Sequence, residues 1–515
     1  MTISGFFAHL SHLSCTGFAA LVFVACTPSL PPSAELSDRP APVVPYQSGA
    51  VIPPNISPLN FLITTDASES LAHIYNRLGS DMILRGPEVE IPQDRWADLL
   101  RATIGDTVFI DIYVGTDDRW TRYPSVCYIV APDEIDPYIS YRLIQPSYVT
   151  YEDILICQRD LRTFDEQVIY SNAPFAHADE GQCVNCHNYQ NYNRDQNFQL
   201  HLRERLGGTI ISYEGRLHKV GLKTDSTLNA GAYPAWHPSL PLIAYSVNAT
   251  GQVFHTLDAQ KVEVIDFGSD LILYDINKNQ VYDLGSRRDE YESFPCWSPD
   301  GQTLYYTSAH YEQRSDNIDA ELDSAYQDLK YNICRRRFSA ATLTFGPADT
   351  VFNARAIGKS ASLPRVSPDG RYLLFGLADY GNFHIWHHSA DLAVIDLSQP
   401  ADSLPLSFRL LDAANSPVAD SYHTWSSNGR WIIFSSRRDD SNYSRPYICY
   451  FDTDGRAHRA FQLPQRSPRF YHQFFKSYNV PEFMTRPVEV PRHDLLRVAQ
   501  DDAQPATFAG HCALP

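Results

Sequence analysis

Phe294-Pro295-Cys296-Trp297-Ser298-Pro299-Asp300-Gly301, followed by the apolar run Leu304-Tyr305-Tyr306, is one copy of a pattern that recurs along the chain. Leu363-Pro364-Arg365-Val366-Ser367-Pro368-Asp369-Gly370 leads into Tyr372-Leu373-Leu374-Phe375, and Tyr422-His423-Thr424-Trp425-Ser426-Ser427-Asn428-Gly429 leads into Trp431-Ile432-Ile433-Phe434. An earlier copy, Tyr233-Pro234-Ala235-Trp236-His237-Pro238, lacks the Asp-Gly turn but keeps the following run Leu242-Ile243-Ala244-Tyr245. Asp-Gly and Asn-Gly supply the positive φ of a tight hairpin, and Pro presets the position before it. The apolar run that follows reads as a buried strand. Later runs in the same units, Leu271 to Asp275 and Leu392 to Asp396, add further strands. Each unit is a small antiparallel sheet that cannot bury both faces alone, so copies must stack, and radial stacking gives a β-propeller.

Composition agrees with a mainly β protein. The 515 residues include 31 Tyr, 26 Phe and 35 Pro but 3 Met, a profile of short strands and turns rather than helical bundles. With 42 Lys+Arg against 60 Asp+Glu the net charge is −18, and no long basic face is available to neutralise phosphate. Nucleic acid is therefore excluded as the main partner.

Met1 to Ala25 carries no Lys, Arg, Asp or Glu, and its apolar run Phe18 to Ala25 ends at Cys26. That run is too short to cross a bilayer, which needs roughly 20 apolar residues, and it fits the apolar core of a signal peptide. Phe23-Val24-Ala25-Cys26 resembles the lipobox of bacterial lipoproteins, which implies a lipid-modified Cys26 as the first mature residue. An ordinary cleaved signal or a buried N-terminal segment is the alternative. Residues 26–56, rich in Pro, Ser and Ala, read as a tether. Residues 57–149 contain short strand-like runs and read as a β-rich, sandwich-like domain, with a helical turn or two over Trp96 to Ala102. Residues 150–205 are expected to hold a helix over 150–169 and then a cofactor segment. The propeller is expected over 206–490 with five or six blades, and 491–515 as a tail.

Cys183-Val184-Asn185-Cys186-His187 is the pentapeptide that carries chemistry. C-x-x-C-H reads as a covalent haem c attachment: Cys183 and Cys186 add to the haem vinyl groups, and His187 supplies the proximal iron ligand. A redox dithiol or structural disulfide is the competing reading. His201 is the leading candidate for the opposite axial position, with His177 and Met484 as alternatives and an open site as a fourth. Arg203 and Arg205 are candidates to pair with haem propionates, since a planar guanidinium suits a carboxylate, with ordinary surface arginines as the alternative. Six cysteines outside the leader and the motif show no spacing pattern, so their pairing is not readable from sequence.

These residues, taken together, resemble monohaem c-type envelope lipoproteins of Bacteroidetes type with a TolB-like propeller of WD40-like repeats. The resemblance implies one covalent haem c, a lipid anchor at Cys26 and a place in the cell envelope, periplasm-facing or on the outer membrane. It leaves the reaction open. Three functions follow. The first is single-electron transfer, with the propeller docking a redox or envelope protein. The second is binding of a glycan or envelope protein with haem as a staple, Trp386-His387-His388 serving as a stacking surface. The third is a haem enzyme or gas sensor with an open distal site. No Ser/His/Asp elbow, phosphate loop or paired-carboxylate signature favours catalysis.

Overall fold

A computed structural model of the chain describes residues 28–116, 119–145, 153–171, 173–175, 183–258, 260–285, 289–400 and 404–512. The protein is mainly β. Six antiparallel sheets follow one another, each built on a four-strand meander. The first runs outward from Ser477–Met484 through Tyr138–Ile144 and Leu155–Asp160 to Glu166–Ser171. The second comprises Cys183–Tyr189, Phe198–Arg203, Gly208–Tyr213 and Arg216–Gly221. The third, fourth, fifth and sixth begin with the inner strands Ala232–Trp236, Glu290–Trp297, Ser360–Val366 and Asp420–Trp425. Each of these inner strands packs beside the next, and Asp420–Trp425 packs beside Ser477–Met484. The ring is thus closed by pairing a C-terminal strand with N-proximal ones, which leaves no open edge between first and last sheets.

One irregularity repeats around the ring. Every inner strand carries a β-bulge at the same place: Asn185-Cys186, Tyr233-Pro234, Phe294-Pro295, Leu363-Pro364, Tyr422-His423 and Val480-Pro481. Tyr233, Phe294, Leu363, Tyr422 and Val480 all have φ between 47° and 53°. Bulky residues seldom adopt that region, and each costs on the order of 1–3 kcal/mol. The bulges turn these side chains onto the axis, where Tyr233 and Phe294 pack with ring centroids 4.4 Å apart and Phe383 covers both. Asn185 alone lacks the positive φ.

The turn chemistry explains the hairpins. Ser298 Oγ donates to Asp300 at 2.5 Å, and Gly301 closes the turn at φ 70°. Ser367-Asp369-Gly370 and Ser426-Asn428-Gly429 repeat this arrangement. Trp297 and Trp425 each donate their indole N–H to a carbonyl of the preceding inner strand, Ala235 at 3.2 Å and Arg365 at 3.0 Å. In the copy without Asp-Gly, the His237 ring does the work of the serine. Its Nδ1 accepts from the backbone N–H of Ser239 and Leu240, and its Nε2 donates to Gly301 O at 3.1 Å.

Several expectations need correction. Residues 155–171 are two strands, Leu155–Asp160 and Glu166–Ser171, not a helix. Ile154, Ile156, Cys157 and Ile169 are buried on both faces of a sheet, which erases the period-2 signal and imitates helical spacing. Residues 35–52 are not a free tether: Val43–Val44 and Ala50–Ile52 pair into sheets, with Ala41, Ala50 and Ile52 buried. Residues 492–511 are not a loose tail either. The helix Arg492–Gln500 buries Leu495, Val498 and Ala499, while Gln504–Pro505 and Thr507–His511 add outer strands to the second and third sheets. Two sheets and the helix Gln93–Ala102 form the N-terminal part, and Trp96 donates to Ile56 O at 3.1 Å. This part packs on the sixth sheet in one continuous core that includes Trp431, Ile433 and Phe461. Among the described residues no helix is long and apolar enough to cross a membrane.

Candidate functional site

Cys183-Val184-Asn185-Cys186-His187 lies on the inner strand of the second sheet, Cys183–Tyr189, opposite Phe198–Arg203. Cys183 faces Arg203 in register, Val184 faces Leu202 and His187 faces Leu200, so His201 lies across from the bulge at Asn185-Cys186. The all-buried alternation of Phe198, Leu200 and Leu202 drives one face of this pair into the apolar core shared with the first sheet. Gln199, His201 and Arg203 therefore take the other face.

Both motif cysteines are free thiols, as are the other described cysteines, and each is partly exposed. Burial pushes both thiols up, with Arg142 and Arg203 opposing the shift. A reactive dithiol needs a depressed thiol, because the thiolate is the nucleophile. The pair is thus poorly set for disulfide exchange. Cys186 Sγ accepts from the Tyr233 backbone N–H at 3.3 Å, which ties the motif to the third sheet.

His187 is 2% exposed, and burial with the nearby Arg142 charge pushes its pKa down to about 3. Neither ring nitrogen makes a hydrogen bond of regular geometry, the Val480 backbone offering only a looser polar contact. A buried imidazole left this way costs free energy, which a metal–nitrogen bond would recover. His201 is also buried and neutral, and burial pushes its pKa to about 3 as well. Its Nδ1 meets Thr209 Oγ1 at 3.0 Å, so the ring orientation is fixed with Nε2 as the remaining nitrogen. Outer partners of this kind commonly set the tautomer of metal-ligating histidines.

The two imidazoles open onto different spaces. His201 and Arg203 line a cleft of about 510 Å³ between the second and third sheets, with Tyr233, Lys223 and Asn229. His187 and Cys186 line an axial space of about 50 Å³ closed by Tyr233, Phe294, Leu363 and Tyr422. Ligand pockets usually hold about 300–1,000 Å³, so the cleft has the size for a cofactor and the axial space does not. The donor set is divided between the two spaces: Cys186 and His187 border the small axial space, while His201 and Arg203 line the larger cleft.

The other candidates are placed elsewhere or lie outside the described residues. Met484 is fully buried in the core between the first and second sheets, the cluster against which Cys183 packs. His177 and Cys26 fall outside the described residues. Trp386 and His387 are buried, not a stacking surface: the Arg437 guanidinium sits 3.4 Å from the Trp386 ring centre, and His387 Nε2 pairs with Glu263 at 3.1 Å. Asn188 and Glu482 were not singled out by sequence reasoning, yet Asn188 Nδ2 donates to Glu482 at 2.7 Å on the axis, and burial holds that carboxyl up near 7. They stand two and one residues after the bulges at Asn185-Cys186 and Val480-Pro481, a placement with no local sequence signal.

No family model matches the chain, and no curated protein matches it. Among solved structures it is similar to prolyl oligopeptidase B from Galerina marginata, at 9% identity and a TM-score of 0.35 over 78% of this chain and 54% of that one. It is similar to an oligogalacturonate lyase in complex with manganese, at 11% identity and a TM-score of 0.30 over 82% and 99% of the two chains. A DUF4784 family protein from Bacteroides caccae gives 8% identity and a TM-score of 0.27 over 85% and 98%. The chain spans 42% to 54% of the length of the prolyl endopeptidase and oligopeptidase structures it matches. The propeller-type assignment rests on the sheet order and inner-strand ring, not on these scores.

Proposed function

We propose that the chain is a haem c-binding, lipid-anchored envelope protein that passes single electrons, with its propeller docking a redox partner. Cys183 and Cys186 would hold the haem through thioether bonds, His187 and His201 would serve as its iron ligands, and Arg203 would pair with a propionate. When bound, the haem supplies a one-electron iron couple whose potential follows its axial ligands and burial. The chain's own residues bury both imidazoles and keep them neutral, and they hold the His201 ring through Thr209. Cys26 anchors the protein to a membrane of the cell envelope.

The observation that carries this reading is the fully buried His187 ring, both of whose nitrogens lack a regular hydrogen bond, on a strand with two free thiols. The test is production in a host with active haem c maturation, followed by denaturing, reducing electrophoresis and a stain for haem. A haem-positive band at full length is expected, and it should vanish with Cys186→Ala. A colourless wild-type protein overturns the reading.

A further inference from the structure

The propeller axis opens on the face of the Ser-Pro-Asp-Gly turns into a well of about 360 Å³, separate from the cleft beside His201. That volume lies within the range of small-molecule sites. Its walls are mixed: Trp236, Trp297 and Trp425 are buried indoles along it, and Pro234, Pro238 and Pro368 add apolar surface. Polar groups converge at its floor. Glu482 and Arg365 line both the well and the enclosed space beneath it. Glu482 is 8% exposed, and one carboxyl oxygen, Oε1, accepts from Asn188. The Arg365 charge acts on Glu482, yet no ion pair joins them among the described residues. Arg194 stands exposed at the mouth. The well therefore carries two guanidinium groups against one carboxyl in a chain of net charge −18. A local reversal of sign in a low-dielectric funnel concentrates anions.

We infer that this well binds a small hydroxylated carboxylate, its carboxylate paired with the Arg365 guanidinium and a hydroxyl donating to Glu482. A planar guanidinium suits a carboxylate through two parallel bonds, which a neutral amide or alcohol does not match. The Glu482 oxygen not held by Asn188 is the acceptor for the hydroxyl. The apolar body of the ligand lies against the proline and indole walls. Neither motif cysteine nor either imidazole lines the well itself, although Glu482 and Arg365 at its floor also border the enclosed space of Cys186 and His187.

The test is calorimetric titration of the full-length protein with 4-hydroxybenzoate and with D-glucuronate, each beside its neutral counterpart, 4-hydroxybenzamide or D-glucose. At least one acid should bind saturably, about tenfold or more tighter than its counterpart, as charge-assisted bonds imply. Arg365→Gln should weaken that acid by about tenfold to a hundredfold. Where that variant does not fold, the exposed Arg194→Ala decides, with a loss of about twofold to fivefold expected from one mouth charge. The inference is overturned if neither acid binds, if the neutral compound binds as tightly, or if the deciding variant keeps wild-type affinity.

Discussion

Replacing His187 by Phe should stabilise the haem-free protein. The imidazole is 2% exposed and both nitrogens lack regular hydrogen bonds, so the folded state carries an unsatisfied polar group costing about 1–3 kcal/mol. A phenyl ring removes that cost, and the adjoining space of about 50 Å³ takes up its extra volume. The net expectation at pH 7 is a gain of about 1–2 kcal/mol. Acid widens the difference. The folded state holds His187 near 3 against an ordinary 6.5, so the unfolded chain takes up the proton first as pH falls. Wild-type stability tied to this group is complete above pH 6.5 and drains away between 6.5 and 3, by about 1.4 kcal/mol per pH unit. At pH 5 the variant should lead by roughly 2 kcal/mol more than at pH 7. Urea midpoints of both proteins, expressed without haem maturation, measure this, provided the slopes match. In haem-loaded protein the sign should invert, because the variant loses an iron ligand. A haem-free variant less stable than wild type at both pH values refutes the reasoning, since His187 would then be held by hydrogen bonds rather than poised for iron.

His201→Ala should convert a low-spin haem spectrum to high-spin and admit carbon monoxide to the reduced protein, whereas Met484→Ala, deep in the core between the first and second sheets, should lower stability by about 2–5 kcal/mol without opening the iron. A spectrum that stays low-spin in His201→Ala assigns the second axial position to another residue. Cys26→Ser should release the protein from membranes with its haem content unchanged, as read by fractionation and haem stain. Gly301→Ala should destabilise the fold by about 1–3 kcal/mol, because φ is +70° and the added carbon would lie 2.4 Å from the His237 ring; a wild-type melting temperature counts against the proposed His237 turn.

How much of this was legible depended on whether a residue's signal was local. Asp300-Gly301, Asp369-Gly370 and Asn428-Gly429 are turns whose chemistry is complete within four residues, so sequence alone located those hairpins. The strands at 155–171 were missed because burial on both sides hides alternation. The roles of 35–52 and 492–511 were hidden differently. Their partners lie outside the local window, from Val43 against Ile63 to the parallel pairing of Thr507–His511 with Gln280–Asp283 more than 200 residues away, and no local pattern encodes that. At the candidate site, residue types were legible but orientations were not. The face on which His187 stands depends on one inserted residue at the Asn185-Cys186 bulge, and such a shift moves every later side chain to the opposite face.

That bulge gives the C-x-x-C-H motif its place in the architecture. Cys186 occupies the position held by Pro234, Pro295, Pro364 and Pro481 in other inner strands, and by His423 in the sixth sheet. Asn185 occupies the position of the residues whose positive φ turns them onto the axis, but without that conformation. The repeat's structural device, a strained apolar residue followed by proline, is thus replaced in one sheet by a pair with a thiol and an imidazole next to it. Strain is spent at five positions to close the axis and withheld at the sixth. Proline at 186 would serve the bulge as it does in four other inner strands, so the only packing role left to the cysteine is its sulfur's contact with the Tyr233 N–H. The change Cys186→Pro separates the two roles. It should preserve the melting temperature of haem-free protein to within about 1 kcal/mol of stability, since the bulge already tolerates proline around the ring, while abolishing covalent haem. A variant that fails to fold would show that the second sheet needs the Cys186 sulfur as acceptor for Tyr233, and that the motif is part of the scaffold rather than grafted on it.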